Sequence, residues 1–446
     1  MQQRRIPRAE HPVSRRQFSN ASLKVLYGLR DAGFAAYMVG GAVRDVYAGI
    51  TPKDFDVATN ATPEETKRIF RNARLIGRRF VITHVRFGDE IIEVTTFRGA
   101  LTESHSRDET GRILSDNQYG DLESDAMRRD FTVNALYYDI ADNTVVDYAG
   151  GLEDVQDKVI RLIGEPELRY REDPVRMLRA IRIANKLNFE LAAETAEPIG
   201  RLVALLREIP PARLFDEIIK MLLTREAVAN FQSLRAYGLL AELFPLAEAT
   251  LKRHPGMAAF IEKALANTAA RIEAEQAVTP AFLYAAILWP SVAERFVGLM
   301  TRQGHHPNVA LSQAADEIIA QTCLRVMIPK RFSMPMHEIW ELQPRFEQRT
   351  PAKAKRLLTH PRFRAAYDFL LLRAATGDAN PELAAWWTAA QGAGADLHQT
   401  GAAQAEGDED DGGDESPNSE AGSGAEGAVA AKKRRRRGGR GRSARS

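Results

Sequence analysis

The chain has 446 residues, 44% hydrophobic and 27% charged, with 61 Lys and Arg against 59 Asp and Glu and one cysteine, Cys323. That length exceeds one ordinary core, so two or more domains are expected. A single cysteine excludes an intrachain disulfide framework and argues against a cysteine-based zinc site, which fits a reducing, cytoplasmic setting.

The formal charge of +2 conceals an uneven distribution. Residues 1–17, "MQQRRIPRAEHPVSRRQ", are basic and expected to be flexible, and no apolar stretch behind them marks a signal peptide. Residues 18–154 read as mixed α and β. "AAYMVGG" (35–41) reads as a buried strand ending at a glycine pair, "AVRDVYAG" (42–49) as a helix closing at Gly49, and "KDFDVAT" (53–59) as a second strand. In "TPEETKRIFRNA" (62–73), Thr62 caps a helix, Pro63 suits its first turn and Glu65 completes a capping box. "VITHVRFGDEIIEVTTF" (81–97) predicts a hairpin turning near Gly88 and Asp89, and "DFTVNALYYDIADNTVVDYAGG" (130–151) continues the mixture to a flexible glycine pair.

From about residue 155 apolar residues recur at helical spacing, as in "VRMLRAIRIANKL", "RLFDEIIKMLL" and "MAAFIEKALANTAARI", and the pattern holds to about Ala390. The longest apolar run, "AFLYAAILW" (281–289), is too short to span a bilayer. Residues 391–446 are acidic over 406–426 and then turn to "KKRRRRGGRGRSARS"; this composition buries too little apolar surface to fold alone, so a disordered tail is expected. The charge asymmetry points to a polyanionic partner, nucleic acid ahead of anionic membrane.

The chemistry concentrates in "GGAVRDVYAGITPKDFDV" (40–57). Alternate side chains of a strand face the same way, so Asp54 and Asp56 share a face while Phe55 and Val57 point to the core. Two adjacent carboxylates suit divalent metal ions: magnesium takes oxygen ligands and completes its shell from water and phosphate, and a two-metal site clamps the attacking and leaving oxygens of a phosphoryl displacement. Gly40 and Gly41, between a strand and a helix, let backbone N–H groups approach a triphosphate, and Arg44 adds a charged donor one turn in. The Walker spacing and its Lys-Ser/Thr pair are missing. A third carboxylate should support the pair, either Glu93 in "EIIEVTTFR" or Asp130 in "RRDFTVNAL".

"GGAVRD", "DFDVATNATPEE", "EVTTFR", "RRDFTVNALYYD", "DYAGGLEDV" and "YREDPVRMLRAIR" stand in the order found in the class II tRNA nucleotidyltransferase and bacterial poly(A) polymerase family, within the DNA polymerase beta-like nucleotidyltransferases. The resemblance spans about Phe18 to Trp387. It implies that Asp54 and Asp56 hold catalytic Mg2+, with Mn2+ as substitute, and that Arg129, Asp130 and Asn134 form the ribose-recognising element, Asp130 also being a candidate for the metal site. Asp147 to Gly151 resembles the flexible link between catalytic head and helical neck. Glu172, Asp173 and Arg176 match the family's nucleobase-reading "EDxxR". Read as one helix, they place Arg176 on the same face as both acids, where a fixed Asp–Arg pair offers an acceptor and donors to a base edge. Arg179 and Arg182 extend this as a basic ridge toward the triphosphate or the RNA end, and Arg98 joins the nucleotide-binding set.

The shared motifs do not separate a CCA-adding enzyme from a poly(A) polymerase. "LIGRRFVITHV" (75–85) resembles the poly(A) polymerase branch, as do "IPPARLFDEIIKML", "PAFLYAAILWP", "IPKRFSMPMHEIWELQPRF" and "HPRFRAAYDFLLLRA", most of them beyond the part shared with CCA-adding enzymes. The expectation is an α+β chain: a small mixed-sheet nucleotidyltransferase head over 18–154, a helical neck for nucleobase and RNA over 155–225, a helical RNA-binding body and legs over 226–390, and the tail. It would be a cytoplasmic monomer that adds AMP from ATP, without a template, to the 3′ ends of mRNA, small RNA and defective tRNA. The tail would raise RNA affinity and reach RNA-decay proteins.

Overall fold

The computed structural model describes residues 3–77, 80–100 and 118–393. The tail therefore lies outside the described residues, as do Arg78 and Arg79 of "LIGRRF". An α+β architecture results: one mixed eight-stranded sheet near the N-terminus, then a largely helical chain.

The head holds β1 (Arg4–Ile6), α1 (Asn20–Asp31), β2 (Ala36–Val39), α2 (Gly41–Tyr47), β3 (Asp56–Thr59), α3 (Pro63–Ile69), β4 (Ala73–Ile76), β5 (Ile82–Phe87), β6 (Glu90–Thr96), α4 (Leu122–Arg128), β7 (Leu136–Asp139), β8 (Val145–Asp147) and α5 (Gly151–Asp157). The strand order is β1-β8-β7-β2-β3-β6-β5-β4, with β3 and β6 parallel and every other pair antiparallel. Alternation sends Met38, Val57, Val85 and Val94 into the main core, and Val39, Ala58, Tyr137 and Val146 into a smaller cluster on the other face. The site stands on that second face.

Several expectations hold locally. Thr62 and Glu65 form the reciprocal capping box around Pro63, and β5 and β6 turn at Gly88, whose φ is +62°. Others need correction. Residues 1–17 were expected to be loose, yet Arg4–Ile6 adds an edge strand against β8. Arg5 bonds Asp139, Asp142 and Thr144 at 2.9, 2.9 and 3.1 Å, so the basic charge is spent on the β7–β8 turn. The link at Asp147 to Gly151 is tied rather than free. The Asp147 carboxylate accepts backbone N–H groups from Ala149, Gly150, Gly151 and Leu152 at 2.9 to 3.1 Å. A Cβ at Gly151 would stand 2.2 Å from the Thr132 carbonyl oxygen, so nothing larger than glycine fits there.

Beyond the head come β9 (Val159–Ile160), α6 (Pro166–Glu172), α7 (Val175–Leu187), β10 (Glu190–Leu191), α8 (Ala193–Ala196), α9 (Ile199–Leu202) and α10 (Pro211–Leu222). Further helices, α11 to α20, follow between Ala227 and Ala393. The "AFLYAAILW" run opens α15 (Pro280–Gln303), which among the described residues is long and apolar enough to cross a membrane. Leu283, Tyr284, Leu288 and Trp289 are buried, which makes it the central helix of the helical core. The main apolar cluster runs from Ile6 to Leu372, so head and helical part share one core, and a second forms around Phe346, Phe363 and Trp387. The last helix, α20 (Pro381–Ala393), carries order past the expected boundary at 390, because Trp387 buries its ring there and donates to the Phe346 carbonyl at 2.8 Å.

Candidate active site

Two carboxylates stand side by side at the N-terminal end of β3, and a third, Asp54, lies just before the strand. The parallel register sets Asp56 directly beside Glu93 of β6, so their Cα atoms stand about 4.8 Å apart. Asp54 precedes the strand instead of lying within it. β2 ends at Val39 opposite Asp56, where Gly40 turns away into α2, and Asp54 has no strand partner on that side. The predicted alternation survives: Phe55 and Val57 are buried, while Asp54 is exposed and Asp56 half-buried. Burial pushes the Asp56 carboxyl up to about 6, Glu93 and Asp54 push the same way, and Arg129 opposes them. Glu93 also faces His84 across the hairpin, with His84 Nε2 3.4 Å from its carboxylate.

Gly40 opens the wall above these carboxylates. Its φ of +71° and ψ of −127° suit glycine, and an added Cβ would lie 3.5 Å from Arg129 Nη1 and 3.9 Å from Asp56 Oδ2. A Cβ on Gly41 would meet only Arg44 Nη2, at 3.6 Å, so space alone does not demand glycine there.

The arginines expected to bind the nucleotide are mostly engaged with protein. Arg44 is buried and gives its N–H groups to Asp45, at 2.9 and 2.5 Å, and to Asn134 Oδ1 at 2.6 Å. Arg129 and Arg98 both bond Asp125, a carboxylate 1% exposed that also accepts from Tyr137 Oη at 2.6 Å. Arg179 clamps Asp130 with bonds of 2.8 and 2.5 Å, and Asp130 further accepts from Asn134 Nδ2 and the Phe131 N–H. Burial alone would raise the Asp130 carboxyl, but the Arg179 guanidinium together with the hydrogen bonds from Asn134 and the Phe131 N–H holds it well below the usual range. Arg182 differs: among the described residues it has no hydrogen bond or ion pair, and its Nε is buried without a partner. Burial and then Arg179 lower its pKa, and Glu217 opposes them.

The "EDPVR" segment (172–176) departs from the expected single helix. α6 ends at Glu172, Asp173 is extended at φ −152°, and α7 starts after Pro174. A proline disfavours helical geometry in the residue before it. Glu172 pairs with Arg169 within α6 at 2.8 Å and with Arg176 across the break at 3.1 Å. Asp173 pairs not with Arg176 but with Arg213 of α10, at 2.7 Å.

Sequence reading missed Asp125, Tyr137, His84 and Arg213. The four-residue spacing of Asp125 and Arg129 was a legible pairing signal. The other contacts join segments distant in sequence. The metal candidates fit a hard divalent cation: all donors are oxygen, and the raised Asp56 carboxyl gains from a nearby positive charge. Among the described residues no group of three or more His, Cys, Asp or Glu side chains is placed to hold a metal ion.

A mixed sheet that gathers acidic side chains beside a glycine turn, joined to an arginine-rich helical neck, defines a nucleotidyltransferase. The Bacillus stearothermophilus CCA-adding enzyme in complex with CTP has a similar fold, with a TM-score of 0.54 and 28% identity over 84% of this chain and 82% of that one. Family models match residues 36–161 (Poly A polymerase head domain), 188–251 (probable RNA and SrmB-binding site of polymerase A) and 303–441 (polymerase A arginine-rich C-terminus). Poly(A) polymerase I of Salmonella typhi is 48% identical over 397 residues, covering 86% of this chain and 84% of its own. The Haemophilus influenzae poly(A) polymerase I is 43% identical, covering 86% of each. The Bacillus subtilis CCA-adding enzyme is 42% identical, over 50% of this chain and 55% of its own. The chain belongs to the bacterial poly(A) polymerase I family.

Proposed function

We propose that Asp54 and Asp56 hold two magnesium ions, with manganese as substitute, and that Glu93 rather than Asp130 is the third carboxylate. The observation that supports this choice is the contrast between the two. Glu93 stands beside Asp56 with half its side chain exposed, whereas Asp130 is committed to Arg179, Asn134 and the Phe131 N–H. Bound there, the ions would lower the pKa of the RNA 3′-hydroxyl and neutralise charge on the α-phosphate.

The chain is a polynucleotide adenylyltransferase: it adds AMP from ATP, without a template, to RNA 3′ ends. The match to the Salmonella typhi poly(A) polymerase I covers 86% of the chain, against 50% for the Bacillus subtilis CCA-adding enzyme. In the proposed assignment, Asp130 is set by Arg179 to receive the ribose, together with Asn134 and Arg129. Arg182 meets the departing pyrophosphate, and the Gly40 turn leaves room for it. Arg44 and Arg98 act one step removed, Arg44 by orienting Asn134 and Arg98 by sharing Asp125 with Arg129. Asp173 and Arg176 read the base, with Glu172 holding Arg176. No covalent enzyme intermediate is required, because the hydroxyl attacks in line. The setting is cytoplasmic and the working form a monomer, with decay proteins as further partners.

Labelled RNA incubated with a divalent metal and each nucleotide in turn, with the products sized, tests the reaction. Long tracts with ATP alone are expected on unstructured RNA; completion of CCA on tRNA without tract growth elsewhere overturns it. Asp54→Ala should abolish incorporation while the protein stays folded, and retained activity would remove Asp54 from the metal site.

A further inference from the structure

A side-chain amide can lie either way round, and the neighbours of Asn134 decide which way it lies. Arginine only donates hydrogen bonds and an ionised carboxylate only accepts them. Arg44 Nη1 donates to Asn134 Oδ1 at 2.6 Å, and Asn134 Nδ2 donates to Asp130 Oδ1 at 3.0 Å. The oxygen is therefore turned to Arg44, and one N–H of the amide is left over, without an acceptor among the described residues. That spare N–H suits a hydroxyl oxygen. Its direction is only as well defined as the two groups that hold the amide.

Both groups are anchored on α7, at positions about two turns apart. On one side Arg179 grips Asp130 Oδ2 at 2.8 and 2.5 Å. On the other, Arg44 is set by Asp45, whose Oδ1 accepts from its Nε and Nη2 at 2.9 and 2.5 Å. Adjacent residues of a helix do not face each other, so α2 does not impose this pair by itself. Lys186 supplies a further hold: its Nζ donates to Asp45 Oδ2 at 2.7 Å, the oxygen that Arg44 leaves free. A charge-assisted bond of that length fixes a carboxylate firmly. The result is a closed ring, Lys186–Asp45–Arg44–Asn134–Asp130–Arg179, that leaves α7 and returns to it. Asp45 is buried, with 5% of its side chain exposed, whereas 39% of Lys186 is exposed. Lys186 can therefore be changed without stranding a buried charge, because Asp45 keeps Arg44.

We infer that Lys186 is a positioning residue for sugar selection: acting through Asp45 and Arg44, it aims the spare Asn134 N–H at the ribose 2′-hydroxyl. That hydroxyl is what distinguishes a ribonucleotide from a deoxyribonucleotide. The inference rests on the reading of Asn134 as part of the ribose-receiving element. Its test is single-nucleotide extension of a labelled RNA primer by the full-length enzyme with ATP, 2′-deoxy-ATP and GTP, comparing kcat/KM across variants. Lys186→Met should reduce the ATP-to-2′-deoxy-ATP ratio by about fivefold or more, and Lys186→Arg, which keeps the charge, should recover most of it. The ATP-to-GTP ratio should hold, because the residues proposed to read the base lie outside the ring. A merely structural role lowers all three nucleotides together and leaves the sugar ratio where it was. That result, no change at all, or a parallel collapse of both ratios overturns the proposal. Asn134→Ala separates the two claims. If it leaves the sugar ratio untouched, the ribose assignment fails; if it lowers the ratio while Lys186→Met does not, only the role of Lys186 fails.

Discussion

At Asp56, burial and two neighbouring carboxylates act in the same direction on one proton. Its folded pKa of about 6 lies above the ordinary 3.8. The folded state then holds a proton that the unfolded state has released, so without metal, stability falls as pH rises from about 4 to about 6 and stays lowered above that. At most this amounts to roughly 3 kcal/mol, since one pKa unit is worth about 1.4 kcal/mol. Asp56→Asn should accordingly raise the melting temperature of the metal-free protein by a few degrees at pH 7.5 while incorporation of AMP drops to background. A melting temperature that falls instead, measured by calorimetry, would show that the repulsion is not felt. Asp130 has the opposite sign. Its lowered pKa adds stability that is complete above the unfolded carboxylate range and lost on acidification. That Asp54 and Asp56 alternate with the buried Phe55 and Val57 was legible from spacing alone; the places of Glu93 and Asp130 were not, because they depend on a register and on Arg179, 49 residues away from Asp130.

At the scale of elements, α4 acts as a brace. Its Asp125 ties Arg98 at the end of β6, Arg129 at its own C-terminus and Tyr137 of β7, so one buried carboxylate aligns three segments beneath the site. Removing it leaves two guanidinium groups short of their main counter-charge. Asp125→Ala should cost about 3–5 kcal/mol, the usual range for breaking a buried ion pair. Denaturant unfolding would measure this, and a loss under 1 kcal/mol would mean that solvent reaches those arginines. The same scale explains why "EDPVR" misled. Spacing alone suggested one helix, but Pro174 splits it, and the acid expected to pair with Arg176 turns to α10 instead.

For the whole molecule, the remaining prediction concerns RNA. Truncation after Gly394 keeps α20 and its buried Trp387 and removes the Arg-rich sequence. The KM for RNA should rise and its dependence on salt should flatten, since each lost phosphate contact removes about 0.7 from the log–log slope for a single strand. Turnover at saturating RNA should be nearly unchanged. A collapse of turnover would mean that the removed segment serves the chemistry itself.

Local rules in the sequence determined the glycine turn, the capped helix, the hairpin and the change from mixed sheet to helix, while the class of reaction came from the resemblance of its motifs to a known family. Each of these local features follows from strand alternation, helical spacing or turn chemistry within a few residues. The tertiary structure alone decided which acid stands beside Asp56, which arginines are engaged, that Arg182 has no hydrogen bond or ion pair among the described residues, and that Arg213 pairs with Asp173. Those are contacts between residues up to 49 positions apart, and long-range pairing is set by sheet register and helix packing, which no local pattern encodes.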